Sequence, residues 1–210
     1  LFLGACSSTP LLSSKIAVRS DVSGNILETN FPTRVFAPSK VGVVDLYLTD
    51  IPRETLEAGG DISAISGTIV QVHVFLRPKA GRTPIDRDAT TSIARVFILT
   101  GNGQAGLYAG GGFFLASDSG NGESYSGTMR GASLYLTRAT AHFDDLLGPA
   151  KLLGSIGTTR DEKLAKRLAV LRRDLRGRPL RRSRISNGFR NQSGSWPKSR
   201  CVRPLSIRRR

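Results

Sequence analysis

The alternation of apolar and polar side chains within residues 66–77 is the feature that most constrains the fold. Val70, Val72 and Val74 recur at every second position, and Gln71 and His73 fall between them. Successive side chains of a strand point to opposite faces, whereas a helix repeats its apolar positions every three or four residues. The pattern therefore predicts a β-strand with one face in a core and the other carrying polar groups.

Several other segments have the length, alternation and flanking turn residues of strands. Asn102-Gly103 supplies the positive φ angles of a tight hairpin between two of them. About eight short strands with glycine-rich turns indicate an all-β fold, an antiparallel β-sandwich or a barrel-like sheet. The further predicted strands cover residues 26–36, 41–49, 91–99, 125–138 and 150–158.

Two short helical turns are expected within this β-rich body. The first follows the strand at 41–49, with Pro52 near its start and Gly59-Gly60 at its end. The second covers about 140–147 and ends at Gly148-Pro149.

A longer amphipathic helix is predicted over residues 159–174. Thr159 and Glu162 have the spacing of a capping box, and Leu164, Leu168 and Leu171 form one apolar stripe. The stripe indicates a helix packed on the sheet with a solvated basic face. An alternative is a helix lying on an anionic membrane surface.

The N-terminal stretch Leu3-Gly4-Ala5-Cys6 resembles the lipobox of bacterial lipoproteins: an aliphatic residue, two small residues and the cysteine that receives lipid. Leu1–Leu3 would then be the remnant of the apolar part of a signal peptide. The resemblance implies that Cys6 is lipidated and becomes the first residue of the mature chain, with Ser7–Ser14 as a tether. It also implies a partner, the membrane, and a location in the bacterial cell envelope, on the outer-membrane or periplasmic side in a Gram-negative cell.

The net charge of +15 is confined to the C-terminal part of the chain. Residues 1–159 hold 13 basic and 13 acidic side chains, so residues 160–210 carry the whole excess. No acidic residue follows Asp174, and residues 175–210 have the composition of a disordered segment. This basic tail is either a nucleic-acid arm, which we do not favour because it conflicts with an envelope location, or the product of a frameshift in GC-rich DNA.

The candidates for chemistry are few. His73 lies on the polar face of its strand, and His142 with Asp144 or Asp145 could orient a base or hold a metal. Because the sequence near His142 offers no further ligand, a solvated helix face is the favoured interpretation. The G-x-G-x-x-G match at residues 101–106 is followed by glycines and not by a helix, so it predicts a hairpin turn and no dinucleotide cofactor. We expect no metal site and no cofactor.

Four regions follow: a signal remnant and tether (1–14), a β-rich domain (15–158), the amphipathic helix (159–174) and the basic tail (175–210). The leading interpretation is a lipid-anchored envelope protein whose β-rich domain binds or scaffolds a protein or small ligand and does not catalyse. Three alternatives remain: a carrier of a small apolar ligand inside the sheet, a hydrolase using His73 or His142, and nucleic-acid binding by the tail.

Overall fold

A computed structural model describes residues 15–40, 42–59, 61–76, 89–117 and 122–177, together with 181–182 and 207–208. Most of these residues lie in β-strands, which confirms the all-β fold. The tether 1–14, with Cys6, lies outside the described residues, as does nearly all of the tail beyond residue 177, with Cys201.

The strands and helices follow one another in the order β1–β4, α1, β5–β10, α2, β11 and β12, with one turn of 3-10 helix at Ile62–Ala64 after α1. The strands are β1 (Lys15–Ser20), β2 (Ile26–Glu28), β3 (Thr33–Lys40), β4 (Val43–Thr49), β5 (Ser66–Val74), β6 (Ser92–Thr100), β7 (Ala105–Gly112), β8 (Phe114–Ser117), β9 (Ser124–Ala139), β10 (Ala150–Arg160), β11 (Arg181–Arg182) and β12 (Ile207–Arg208). The helices are α1 (Arg53–Ala58) and α2 (Glu162–Gly177).

Seven of the strands pair into a ring, which we call the closed sheet. Its order is β9-β7-β6-β5-β4-β3-β10, and β10 pairs with β9 to complete the ring. The hairpin of β1 and β2 extends it from β10, and β8 continues the β7–β9 pairing. The sequence predicted either a β-sandwich or a barrel-like sheet, and the ring of paired strands corresponds to the barrel-like sheet.

One pairing departs from the antiparallel expectation. β3 and β10 run parallel, joined through Val35–Thr159 and Phe36–Arg160, while the other pairs of the sheet are antiparallel. Strands so distant in sequence carry no turn signal that would reveal their relative direction. This short parallel pairing links β3 to β10 within the ring.

The interior of the closed sheet is filled by apolar side chains. Val70, Val72 and Val74 of β5 are fully buried and point inward, as their alternation predicts. Side chains from facing strands complete this core, among them Leu46, Val96, Tyr108, Phe114, Met129, Leu134 and Leu152.

A second core lies between the outer face of the sheet and α2. Leu164 and Leu168 of the helix are buried against sheet residues that include Tyr47, Ile69 and Phe97. The sheet-packed interpretation of the helix is therefore the one that the structure shows. The helix begins later than expected, because Thr159 is still in β10 and Asp161 caps it by accepting a hydrogen bond from the Leu164 amide at 2.9 Å.

The glycines of β7 let β9 approach its backbone closely. A Cβ on Gly110 would lie 1.6 Å from the Ser133 carbonyl oxygen, and one on Gly112 would lie 2.5 Å from the Ala132 Cα. No side chain fits at either position without backbone movement. The run of glycines is thus needed for strand pairing at this point of the ring.

Of the two expected helical turns, the structure contains the first and not the second. α1 forms between Pro52 and Gly59, and Gly59 ends it in the left-handed conformation with φ of 69°. The segment 140–147 contains turns and bends and no helix. The Asn102-Gly103 hairpin joins β6 to β7 as predicted.

Candidate functional site

A group of polar side chains lies on the outer face of β4, β5 and β6. Asp45 pairs in register with His73, and Gln71 pairs in register with Arg95. Positions 71 and 73 share the outward face of β5 because side chains alternate along a strand. Arg172 reaches the same group from α2. We call these five residues the Asp45–His73 cluster.

Gln71 is the buried centre of the Asp45–His73 cluster, with 1% of its surface exposed. Its Nε2 donates to Asp45 Oδ1 at 2.8 Å, and the same Oδ1 lies 2.9 Å from His73 Nδ1. Its Oε1 accepts from Arg95 Nη1 at 3.2 Å and from Arg172 Nη1 at 2.9 Å. One amide thus joins a carboxylate–imidazole pair to two guanidinium groups.

The packing of α2 against the sheet places Arg172 next to Gln71. Leu168 and Leu175 are buried and lie one turn before and one turn after it, on the same side of the helix. The Nε of Arg172 is buried and has no hydrogen-bond partner among the described residues. Part of the donor capacity of this guanidinium is therefore unused.

Among the five residues of the cluster, guanidinium groups outnumber carboxylates. Two guanidinium groups and one carboxylate give it a formal charge of +1 while His73 is neutral. Arg95 and Arg172 donate to the same oxygen at 3.2 and 2.9 Å, so their donor nitrogens lie within about 6 Å of each other. Two unit charges at this separation repel by roughly 3 kcal/mol at an effective dielectric constant of about 20, and by less where water screens them.

Tyr47 lies beside the cluster and is almost fully buried. Its hydroxyl accepts a hydrogen bond from Gln71 Nε2 at 3.5 Å. Burial and the neighbouring Asp45 carboxylate raise the pKa of Tyr47 to about 12. The phenol therefore stays protonated at neutral pH and serves as a neutral polar neighbour of Gln71.

The geometry suits binding better than nucleophilic catalysis. The Asp45 contact at Nδ1 orients the imidazole of His73, whose side chain is 30% exposed. Within the described ranges, no hydroxyl or thiol is hydrogen-bonded to His73, so the nucleophile–base pair of a hydrolase is not assembled there. Guanidinium groups, in contrast, can donate paired hydrogen bonds to two oxygens of a carboxylate or a phosphate.

The other predicted pair is not brought to this site. His142 and Asp144 are exposed in the turns between β9 and β10, and the expected helix that would have carried them is absent from that segment. The adjacent Asp145 has a structural role: its Oδ1 accepts from the Tyr108 hydroxyl at 2.5 Å and from the Gly148 amide at 2.7 Å. Burial and this carboxylate raise the pKa of Tyr108 well above its ordinary value.

No group of three or more histidine, cysteine, aspartate or glutamate side chains that could hold a metal ion occurs among the described residues. In the same part of the chain, no helix combines the length and apolar character needed to cross a membrane.

The sequence indicated His73 but not its partners. Asp45, Arg95 and Arg172 lie 28, 22 and 99 positions away in the chain, and only strand register and helix packing bring them together. The one available signal was that Gln71 and His73 share the polar face of β5.

Comparison with known proteins finds no matching family model, no similar curated protein and no similar solved structure.

Proposed function

We propose that this chain is a lipid-anchored protein of the bacterial cell envelope whose closed sheet is a binding domain. Its binding site is the Asp45–His73 cluster, and the group that it binds is an anion such as a carboxylate or a phosphate. The observation that carries the binding function is the convergence of Arg95 and Arg172 on the single oxygen of Gln71. An oxyanion beside these groups would offset their mutual repulsion and accept a hydrogen bond from the unpartnered Nε–H of Arg172.

The anchor is proposed from the resemblance of Leu3-Gly4-Ala5-Cys6 to a lipobox. Eight residues separate Cys6 from Lys15, where β1 begins. Extended chain spans at most about 3.3–3.6 Å per residue, so the first strand can lie up to roughly 30 Å from the lipid. Such a tether leaves the outer face of the sheet accessible to a ligand at the membrane surface.

A carrier function inside the sheet is less well supported. The inward-facing positions are occupied by large side chains such as Tyr108, Phe114 and Met129, all almost fully buried. An internal apolar ligand needs a cavity of several hundred cubic ångströms. We therefore place the binding site on the outside of the closed sheet.

Two cysteine variants test the anchor. The gene is expressed from its own reading frame in its own host, and cells are fed an alkyne-bearing fatty acid. We expect label on the wild-type protein and on Cys201→Ser, and none on Cys6→Ser. Equal labelling of Cys6→Ser would overturn the anchor while leaving the binding site untouched.

Two neighbouring arginines of α2 test the binding site. Phosphate or acetate is titrated into the protein at constant ionic strength, and the side-chain amide resonances of Gln71 are followed by NMR. Arg172→Gln should weaken binding at least about tenfold, since it removes a charged hydrogen-bond donor. The matched variant Arg173→Gln loses the same charge on the exposed side of the helix and should bind as wild type. Equal affinity of the two variants would contradict the assignment.

A further inference from the structure

A groove lies between α1 and α2, apart from the Asp45–His73 cluster. It has a volume of about 550 Å³, within the range of small-molecule sites. Its floor is apolar and includes Leu56, Ile65, Val170 and Leu171. Val170 is 50% exposed there although it is a large apolar residue. The groove is thus an open surface with an apolar floor and a volume sufficient for a small ligand.

The rim of this groove is mainly basic. Lys163 and Lys166 are exposed one turn apart on α2, and neither forms an ion pair with any described residue. Arg167 lies at the rim as well, held in place by donating its Nε to the Leu56 carbonyl at 3.0 Å and its Nη2 to the Glu57 carbonyl. These bonds cover the C-terminal end of α1, where a cation is favoured.

An apolar floor beside the ammonium groups of Lys163 and Lys166 is complementary to an anionic amphiphile. Burial of an alkyl chain supplies affinity in proportion to the apolar area removed from water. A carboxylate head would then lie between Lys163 and Lys166, and exchange bulk water for two cations.

The same surface does not suit a broad anionic membrane. Asp174 also lines the groove and is exposed. Its carboxylate would face the headgroups of a bilayer, whereas a single small head can bind on the lysine side only. The apolar residues line a concavity and do not project as a membrane-inserting face would.

From these observations we infer that the α1–α2 groove binds a free single-chain anionic amphiphile of the fatty-acid type. This site is separate from the proposed anion site on β4–β6, so either can fail without the other.

The test uses laurate as ligand, its binding measured by displacement of anilinonaphthalene sulfonate and by calorimetry. Wild-type protein should bind laurate saturably at one site and should bind dodecyltrimethylammonium, of equal chain length and opposite charge, about tenfold or more weakly. Val170→Asp places a carboxylate on the apolar floor and should weaken laurate binding about tenfold or more. Lys163→Gln combined with Lys166→Gln should remove the preference for the anion.

The control is Val22→Asp, the same change at a residue that is 78% exposed far from the groove, which should bind laurate as wild type. Both valine variants change exposed side chains, and unchanged circular dichroism would show that both fold. Equal laurate binding by Val170→Asp and Val22→Asp would overturn the inference. So would binding to phosphatidylglycerol vesicles without binding to free laurate, which would make the face a membrane contact.

Discussion

Replacement of Leu168 by alanine tests whether α2 is held on the sheet and whether that packing positions Arg172. Leu168 is fully buried in the core between helix and sheet. The change deletes three buried carbon atoms at about 0.8 kcal/mol each, and the cavity left behind adds to this loss. We expect the free energy of unfolding to fall by about 3–4 kcal/mol.

The matched control is Val170→Ala, two residues along the same helix at a half-exposed position. It should change stability by no more than about 0.5 kcal/mol, since surface substitutions rarely do more. Urea unfolding of both variants, followed by circular dichroism, measures the two values. Phosphate affinity should also fall in Leu168→Ala, because Arg172 lies one turn further along. Equal stabilities of the two variants would refute the packing of α2 that the candidate site requires.

Three further predictions concern the sheet and the groups around it. Burial raises the pKa of Asp50, whose Oδ1 accepts a hydrogen bond from the Thr68 amide at 2.6 Å. The stability that comes from keeping this carboxyl protonated in the fold is therefore present below pH 3.8, its ordinary pKa, and is lost as the pH rises through the folded-state pKa. Asp50→Asn should therefore raise the urea midpoint at pH 7 more than at pH 3, and an equal or greater rise at pH 3 would contradict this. Because the pKa of Tyr47 is raised from 10.0 to about 12, wild-type stability should decline between pH 10 and pH 12 by about 2–3 kcal/mol more than that of Tyr47→Phe, and parallel pH profiles would count against it. Gly110→Ala should lower the thermal midpoint far more than Gly122→Ala, whose added Cβ meets no atom within 4 Å, and similar midpoints would refute the close approach of β9.

The sequence was sufficient where a local pattern determines the structure. The alternation of Val70, Val72 and Val74 placed the core face of β5, and the Asn102-Gly103 turn placed a hairpin. Gly59 marked the end of α1. In each case the physical signal lies within a few residues of the feature that it predicts.

The sequence was insufficient where contacts between distant residues determine the local structure. The expected helix at 140–147 does not form, and in that segment Asp145 instead accepts hydrogen bonds from Tyr108 and Gly148. The residue that caps α2 is Asp161 and not the predicted Thr159, because β10 continues through Arg160 to pair with β3. No local pattern distinguishes a residue that continues a strand from one that caps the helix after it.

The candidate site shows the same division. His73 was identified as polar and outward-facing from its own strand, but its role depends on groups that three other elements supply. Among them, Arg172 lies in a helix whose basic residues suggested a solvated face or contact with an anionic membrane.

The proposed lipid anchor on Cys6 would determine where this protein works, and mass spectrometry of the native protein can detect it. Protein purified from the membranes of its own host is digested with trypsin, and the peptide that ends at Lys15 is analysed by mass spectrometry. We predict a peptide that begins at Cys6 and carries a diacylglyceryl group on sulfur and an acyl chain on its amino group. An unmodified Cys6 within a peptide that continues upstream through Ala5 would contradict the account.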